Sequence, residues 1–170
     1  PPPPRAGPPP PSDLPRSIPN DLLALGNGAQ WRDVRKRLLD PELRHRPILL
    51  SGPTGCGKTR GICDLLASLD LRAVVLDAVE AEDTWQLLSW IRQSRKAKTM
   101  LRSSAVVLDD LEGFTERART EIVRLALEPT DASVAPLVLV CTNARAPEWR
   151  RLSDAVHVVR LRAPSEHQLS

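Results

Sequence analysis

A three-layer α/β fold around a five-stranded parallel sheet is what this sequence predicts. Short apolar runs alternate with segments of helical spacing along residues 20–165, a pattern that buries a parallel sheet between helices on both faces. The residues best suited to chemistry fall just beyond the ends of those apolar runs, where open sheets of this kind bind their ligands.

The elements follow in order. Residues 1–19, PPPPRAGPPPPSDLPRSIP, hold ten of the chain's 17 prolines. That composition favours extended polyproline II and packs no core, so it reads as a disordered leader or as a ligand for a proline-binding module. AQWRDVRKRLLD, 29–40, places Trp31, Val34 and Leu38 on one helical face. PILLS, 47–51, is a short apolar run ending at a glycine and predicts a buried strand. Thr59 to Leu69 aligns Ile62, Leu65, Leu66 and Leu69 as the inner face of a second helix, and RAVVLD, 72–77, is a second strand. Asp83 is the expected N-cap of a helix with Trp85, Leu88 and Ile91 inward. AVVLDD, 105–110, is a third strand ending in two carboxylates; 116–127 repeats the helical spacing with Ala118, Ile122 and Leu125. PLVLVCTN, 136–143, and VHVVRL, 156–161, complete the five strands. Among the tryptophans, Trp31 and Trp85 are expected in the core, and Trp90 and Trp149 exposed at an interface.

Composition narrows the class. The formal net charge of +3 permits contact with nucleic acid without demanding it. Three cysteines, Cys56, Cys63 and Cys141, form no CxxC pair and suit a reducing interior better than a disulfide framework. No apolar run reaches the length of a membrane span and no signal-like segment opens the chain, so the expectation is an intracellular protein without a membrane partner, nuclear if eukaryotic and otherwise cytoplasmic. The three histidines are scattered and receive no role.

The segment Gly52-Pro53-Thr54-Gly55-Cys56-Gly57-Lys58-Thr59 fits GxxxxGK[ST], the P-loop, and lies between an apolar strand and an amphipathic helix. A loop that wraps phosphate oxygens with main-chain N–H groups needs glycines for its dihedrals and for close approach. The following helix adds its positive N-terminal end. Lys58 supplies a point charge for the β- and γ-phosphates of ATP, and the Thr59 hydroxyl a ligand for Mg²⁺. Cys56 reads as a small filler contributing its N–H. Asp109, at the end of the third strand, is the second metal-side group. Asp110 stands where a base would orient attacking water, with Glu112 a less favoured substitute that otherwise reads as a surface residue. Asn143, ending the fourth strand, is placed to meet the γ-phosphate or the water. Together these predict a P-loop NTPase sandwich.

Two basic stretches remain. Arg92, Arg95, Lys96, Lys98 and Arg102 occupy a region without an acid, and Arg92, Arg95 and Lys96 are expected on one helical face. Such a stripe either neutralises DNA phosphates without reading sequence or is a solvated face. The cluster from Arg32 to Arg46 reads as a solvated face. Neither interleaves aromatics for base stacking.

With these motifs placed, the chain resembles the ATPase core of AAA+ proteins: GPTGCGKT resembles Walker A, VVLDD Walker B and VCTN a sensor-1 strand. Within that superfamily it is most similar to sliding-clamp loaders, the large subunit of replication factor C and its alternative-loader relatives. DLLALGNGAQWRDVRKRLL, ILLSGPTGCGKT and CTNARAPEWRRLSDAVHVVRLRAPSEHQL carry this likeness. It implies strand order 5-1-4-3-2, Leu25 and Gly26 near the adenine, and assembly with other AAA+ subunits in a ring or spiral acting on a sliding clamp and primed DNA. The family's helical lid would follow the fifth strand, with 166–170 its start or a tail. The pattern departs in three places. Walker B ends Asp109-Asp110 rather than Asp-Glu, as in DnaA- and DnaC-type initiators and helicase loaders. Ser153-Asp154-Ala155 stands where small loader subunits carry Ser-Arg-Cys, so a partner would supply the arginine finger. The usual Tyr-x-Pro before the first helix is missing. The resemblance thus implies a clamp-loader-type ATPase, with an initiator or helicase loader and a non-hydrolysing ATP-binding subunit as alternatives.

Overall fold

The computed structural model describes residues 18–19, 26–78, 83–96, 103–131 and 133–164. Five strands, β1 (Ile48–Ser51), β2 (Leu71–Leu76), β3 (Ser103–Leu108), β4 (Leu137–Cys141) and β5 (His157–Arg160), form one all-parallel sheet in the order β2-β3-β4-β1-β5. That is the predicted order read from the other edge. The helices are α1 (Gly28–Leu39), α2 (Lys58–Ser68), α3 (Thr84–Lys96), α4 (Glu116–Leu127) and the short α5 (Arg150–Ala155).

The sheet parts two cores, and strand alternation decides which side chain joins which. Ile48, Leu50, Ala105, Val107, Val138, Val140 and Val159 pack with α1 and α2 on one face. Leu49, Val106, Leu108, Leu137, Leu139 and Cys141 pack with α3, α4 and α5 on the other. Because both faces are covered, the central strands are apolar throughout. The predicted inner faces of α1, α2 and α4 are buried as expected through Trp31, Val34, Leu38, Ile62, Leu65, Leu66, Ala118, Ile122 and Leu125. At its N-terminus, α4 is capped by Thr115, whose side-chain oxygen accepts from Ala118 N–H at 3.2 Å.

Three expectations are corrected. Asp83 does cap α3, accepting from Trp85 N–H at 2.9 Å, but Trp85 itself is 70% exposed. The buried face of α3 runs through Leu87, Leu88, Ile91 and Arg95, which turns Trp85 outward. Trp149, expected at the surface, is 1% exposed. It lies on the 3-10 turn Pro147–Trp149 that leads into α5 and packs its ring under that helix. Ile18, assigned to the proline-rich leader by composition, is 7% exposed and packs with the α1 and α2 core. Residues 1–17 lie outside the described residues, as do 165–170. Among the described residues no helix is long and apolar enough to cross a membrane.

Candidate functional site

The C-terminal ends of β1, β3 and β4 lie side by side in the sheet, and each releases its chain into a polar turn. From β1 the chain passes into 52–57, then into α2. Gly55 and Gly57 both have φ of +82°, a left-handed conformation that costs glycine nothing and other residues ~1–2 kcal/mol. Gly52 is required for a different reason: a Cβ there would meet Cys56 Sγ at 2.9 Å and Leu161 Cβ and O at 3.1 Å. Cys56 is buried as the filler its small size suggested.

The reactive side chains meet over an open cleft of about 360 Å³, lined by Thr54, Gly55, Gly57, Lys58, Thr59, Arg60, Asp109, Asp110, Glu112 and the end of β4. Lys58 Nζ donates to the carbonyls of Gly52 at 2.6 Å and Pro53 at 2.9 Å, curling back over the loop that precedes it. The Thr59 hydroxyl donates to Asp109 Oδ1 at 2.6 Å across fifty residues of sequence. These are two hard oxygen donors at one point, the set that Mg²⁺ takes when it completes its shell with water and phosphate oxygens. The N-terminus of α2 and the glycine-shaped loop form the anion side of the same cleft.

Asp110 follows in a left-handed conformation with φ +52°, tolerated best by Gly, Asn and Asp. Partial burial comes first in pushing its carboxyl above the ordinary range. The nearby Glu112 carboxylate adds to this, then Asp109, and Lys58 opposes them. Asn143 lies two residues beyond β4. Its Oδ1 accepts from Arg145 N–H at 3.0 Å and its carbonyl from Ala146 N–H at 3.2 Å, so it nucleates a tight turn. The turn is anchored from below, where Ala144 N–H donates to the buried Ser51 Oγ at 2.9 Å.

The structure therefore brings Thr54, Gly55, Gly57, Lys58, Thr59, Asp109 and Asp110 into one cleft, with Gly52, Pro53 and Cys56 in the loop outside its lining and Asn143 on the turn beside it. Gly26, with φ +84°, precedes α1, and Leu25 lies outside the described residues. The basic stripe on α3 does not form as expected. Arg95 is 6% exposed. Its Nε donates to Ala135 O at 3.0 Å and its Nη2 to His45 O at 3.1 Å, because a buried guanidinium must spend its donors inside. Arg92 pairs with Glu128 at 2.8 Å. Lys96 is exposed, and Lys98 and Arg102 lie outside the described residues.

Three residues carry more than their sequence context suggested. Glu112 reaches across to accept from Thr142 N–H at 2.6 Å. Ser51, a hydroxyl at the end of an apolar strand, holds the turn after β4. Asn27 exchanges two hydrogen bonds of 2.9 Å with the main chain of Arg162. The polar residue closing each apolar run was the available signal for Ser51. No spacing rule announces the other two.

Comparison with known proteins bears on the sequence and the fold. No family model matches the chain. It is 21% identical over 157 residues to the large subunit of replication factor C from Sulfolobus acidocaldarius, covering 89% of this chain and 36% of that protein. The Pyrobaculum arsenaticum large subunit is 25% identical over 136 residues, covering 79% and 31%. The chain thus spans about a third of the length of these curated relatives. In fold it is similar to the RuvB Holliday junction branch migration motor of Thermotoga maritima, with a TM-score of 0.51 at 18% identity over 85% of this chain and 44% of that one. A single-substitution variant of the same motor gives 0.56 at 19% identity, over 81% and 45%. By sequence the chain is similar to clamp-loader large subunits, and its fold is the P-loop NTPase α/β sandwich.

Proposed function

We propose that this chain is the nucleotide-binding module of an AAA+ ATPase of the clamp-loader type, acting in DNA replication or repair. The observation that carries the reading is the 2.6 Å bond between Thr59 and Asp109 beside Lys58. Two motifs fifty residues apart converge on the spot where a P-loop would present a phosphate.

In this reading Gly52–Thr59 wraps the α- and β-phosphates of ATP, and Lys58 trades the carbonyls of Gly52 and Pro53 for β- and γ-phosphate oxygens. Thr59 and Asp109 would hold Mg²⁺, whose charge offsets that building on the transferred group. Asp110 accepts the proton of the attacking water. A bond forms from water oxygen to the γ-phosphorus as the β–γ bridging bond breaks, and ADP leaves with the electron pair. Asn143 contacts the γ-phosphate. Other AAA+ subunits in a ring or spiral supply an arginine finger, and turnover serves the loading of a sliding clamp on primed DNA. Lys96, with Lys98 and Arg102, is the remaining basic group for DNA; Arg95 is spent inside the fold. One observation favours a second reading, in which the chain binds ATP without hydrolysing it: Asp110 is a methylene shorter than glutamate and is engaged with Glu112.

The test is ATP turnover of the chain with and without primed DNA, beside Lys58→Ala, and binding of a fluorescent ATP analogue. DNA-stimulated turnover abolished in Lys58→Ala supports the motor. Binding without turnover, even with partner subunits added, supports the second reading. No binding at all overturns both.

A further inference from the structure

Two turns face the P-loop across the cleft. One is the 3-10 turn Leu111–Gly113 after β3; the other is the turn at 142–146 after β4. A single side chain joins them. Glu112 Oε1 accepts from Thr142 N–H at 2.6 Å. Its second oxygen, Oε2, is buried without a hydrogen-bond partner, and the residue lines the same cleft as Lys58, Thr59 and Asp110.

The turn after β4 is thus pinned on either side of Asn143. Ser51 fixes Ala144 from the floor of the sheet, and Glu112 fixes Thr142 from the cleft. The side chains of Thr142 and Asn143 are themselves exposed, and the Asn143 Oδ1 is held only within its own turn, by Arg145 N–H. A carboxylate accepting from an amide makes one of the stronger hydrogen bonds of a protein. Here it is a side-chain hydrogen bond between the segment after β3 and the turn that carries Asn143, added to the apolar packing of Leu111 and Ala144 beneath them.

We propose that Glu112 is a positioning residue: by holding Thr142 N–H it fixes the Asn143 turn against the end of β3, and so sets the preference of the site for a nucleoside triphosphate over a diphosphate. The inference rests on the nucleotide reading given above. Its logic is spatial. The loop 52–59 meets the α- and β-phosphates, which both nucleotides have. Only a γ-phosphate extends toward the ends of β3 and β4. Loosening the Asn143 turn therefore weakens triphosphate binding alone.

The experiment measures dissociation constants of ADP and of a non-hydrolysable ATP analogue, each with Mg²⁺, for the full chain and for Glu112→Gln, Glu112→Asp and Glu112→Ala. Glutamine keeps an acceptor at the same reach without charge, whereas aspartate keeps the charge and falls a methylene short. The expected result is a loss of roughly tenfold in triphosphate affinity for the Asp and Ala variants, the worth of one good hydrogen bond, with ADP affinity within about twofold. Glu112→Gln should stay near the parent. Equal losses for both nucleotides, or none, would overturn the proposal. So would a Gln variant as weak as the Asp variant, because charge rather than position would then be at work. A parent chain that binds neither nucleotide would instead sink the reading on which the proposal rests, and the proposal with it. Glu112→Asp and Glu112→Gln keep the test decisive even if Glu112→Ala fails to fold.

Discussion

Lys58 and Arg95 make the same kind of bond at opposite rims of the sheet. Each is a cation that donates twice to main-chain carbonyls: Lys58 to Gly52 and Pro53 beyond the end of β1, Arg95 to His45 and Ala135 before the starts of β1 and β4. The surroundings differ. Lys58 stands in an open cleft, where the nucleotide reading proposed above has a phosphate replace its carbonyls. Arg95 is buried among α3, the loop before β1 and the loop before β4, with 6% of its surface exposed. One rim keeps its polar groups exchangeable, and the other has spent them on holding the fold.

The largest expected effect breaks that comparison directly. Arg95→Ala strips the Ala135 carbonyl of this donor, leaves the His45 carbonyl only the Thr130 hydroxyl at 3.3 Å, and empties the space of a buried side chain, and should cost about 3 kcal/mol in urea unfolding. Lys58→Ala should stay within about 1 kcal/mol of the parent in the same assay while losing ATP-analogue binding. Equal stability losses would mean that the two rims are built alike. Next come the glycines. Gly52→Ala forces a Cβ against Cys56 and Leu161 and should cost about 2 kcal/mol. Gly55→Ala meets nothing within 4 Å and should pay only its backbone strain, about 1 kcal/mol. Reversal of that order, measured by thermal unfolding, would show crowding to matter less than dihedral.

Cys141 sharpens the comparison through pH. Burial first, then the charge of Glu112, pushes this thiol at the end of β4 from its ordinary 9.0 to about 11. The unfolded chain ionises it near pH 9.0 while the folded chain holds the proton until about 11. Its contribution to stability is therefore whole below pH 9.0 and lost as pH rises to about 11. Urea midpoints should fall across that window in the parent and more shallowly in Cys141→Ala, and iodoacetamide at pH 8 should leave Cys141 unmodified in the native protein. The smallest effect belongs to Asp33→Asn, which weakens the 2.6 Å contact from α1 to His157 at the start of β5. Half-exposed pairs of this kind contribute about 0.5 kcal/mol, so a shift of several kcal/mol there would mark the lower rim as more tightly coupled than its exposure implies.

Much of this was legible in the sequence because strands and P-loops obey local rules. Short continuous apolar runs between helical segments are enough to find all five strands, and GPTGCGKT places Lys58 and Thr59 between the first strand and its helix without any tertiary information. The failures have physical causes. Trp85 is placed inward by hydrophobic spacing, but α3 takes Leu87, Leu88, Ile91 and Arg95 as its inner face; Trp149 is expected outside, and a 3-10 turn carries it inward. Arg95 looked like surface because arginine usually is; its burial depends on two carbonyls from loops forty and fifty residues away. Glu112 was undervalued for the same reason, since its partner is a backbone amide thirty residues downstream.

The paired bonds between Asn27 and Arg162 have a consequence for the protein's neighbours in solution. Among the described residues β5 has only β1 beside it, and its other side is one on which a foreign strand could build. His157 and Leu161 donate their N–H groups toward β1, and by alternation those of Arg162 face the open side. There the Asn27 amide gives and takes one hydrogen bond each, as the next peptide of a ladder would. One buried side chain thereby stands in for a missing strand and stops edge-to-edge aggregation from starting beside the phosphate loop.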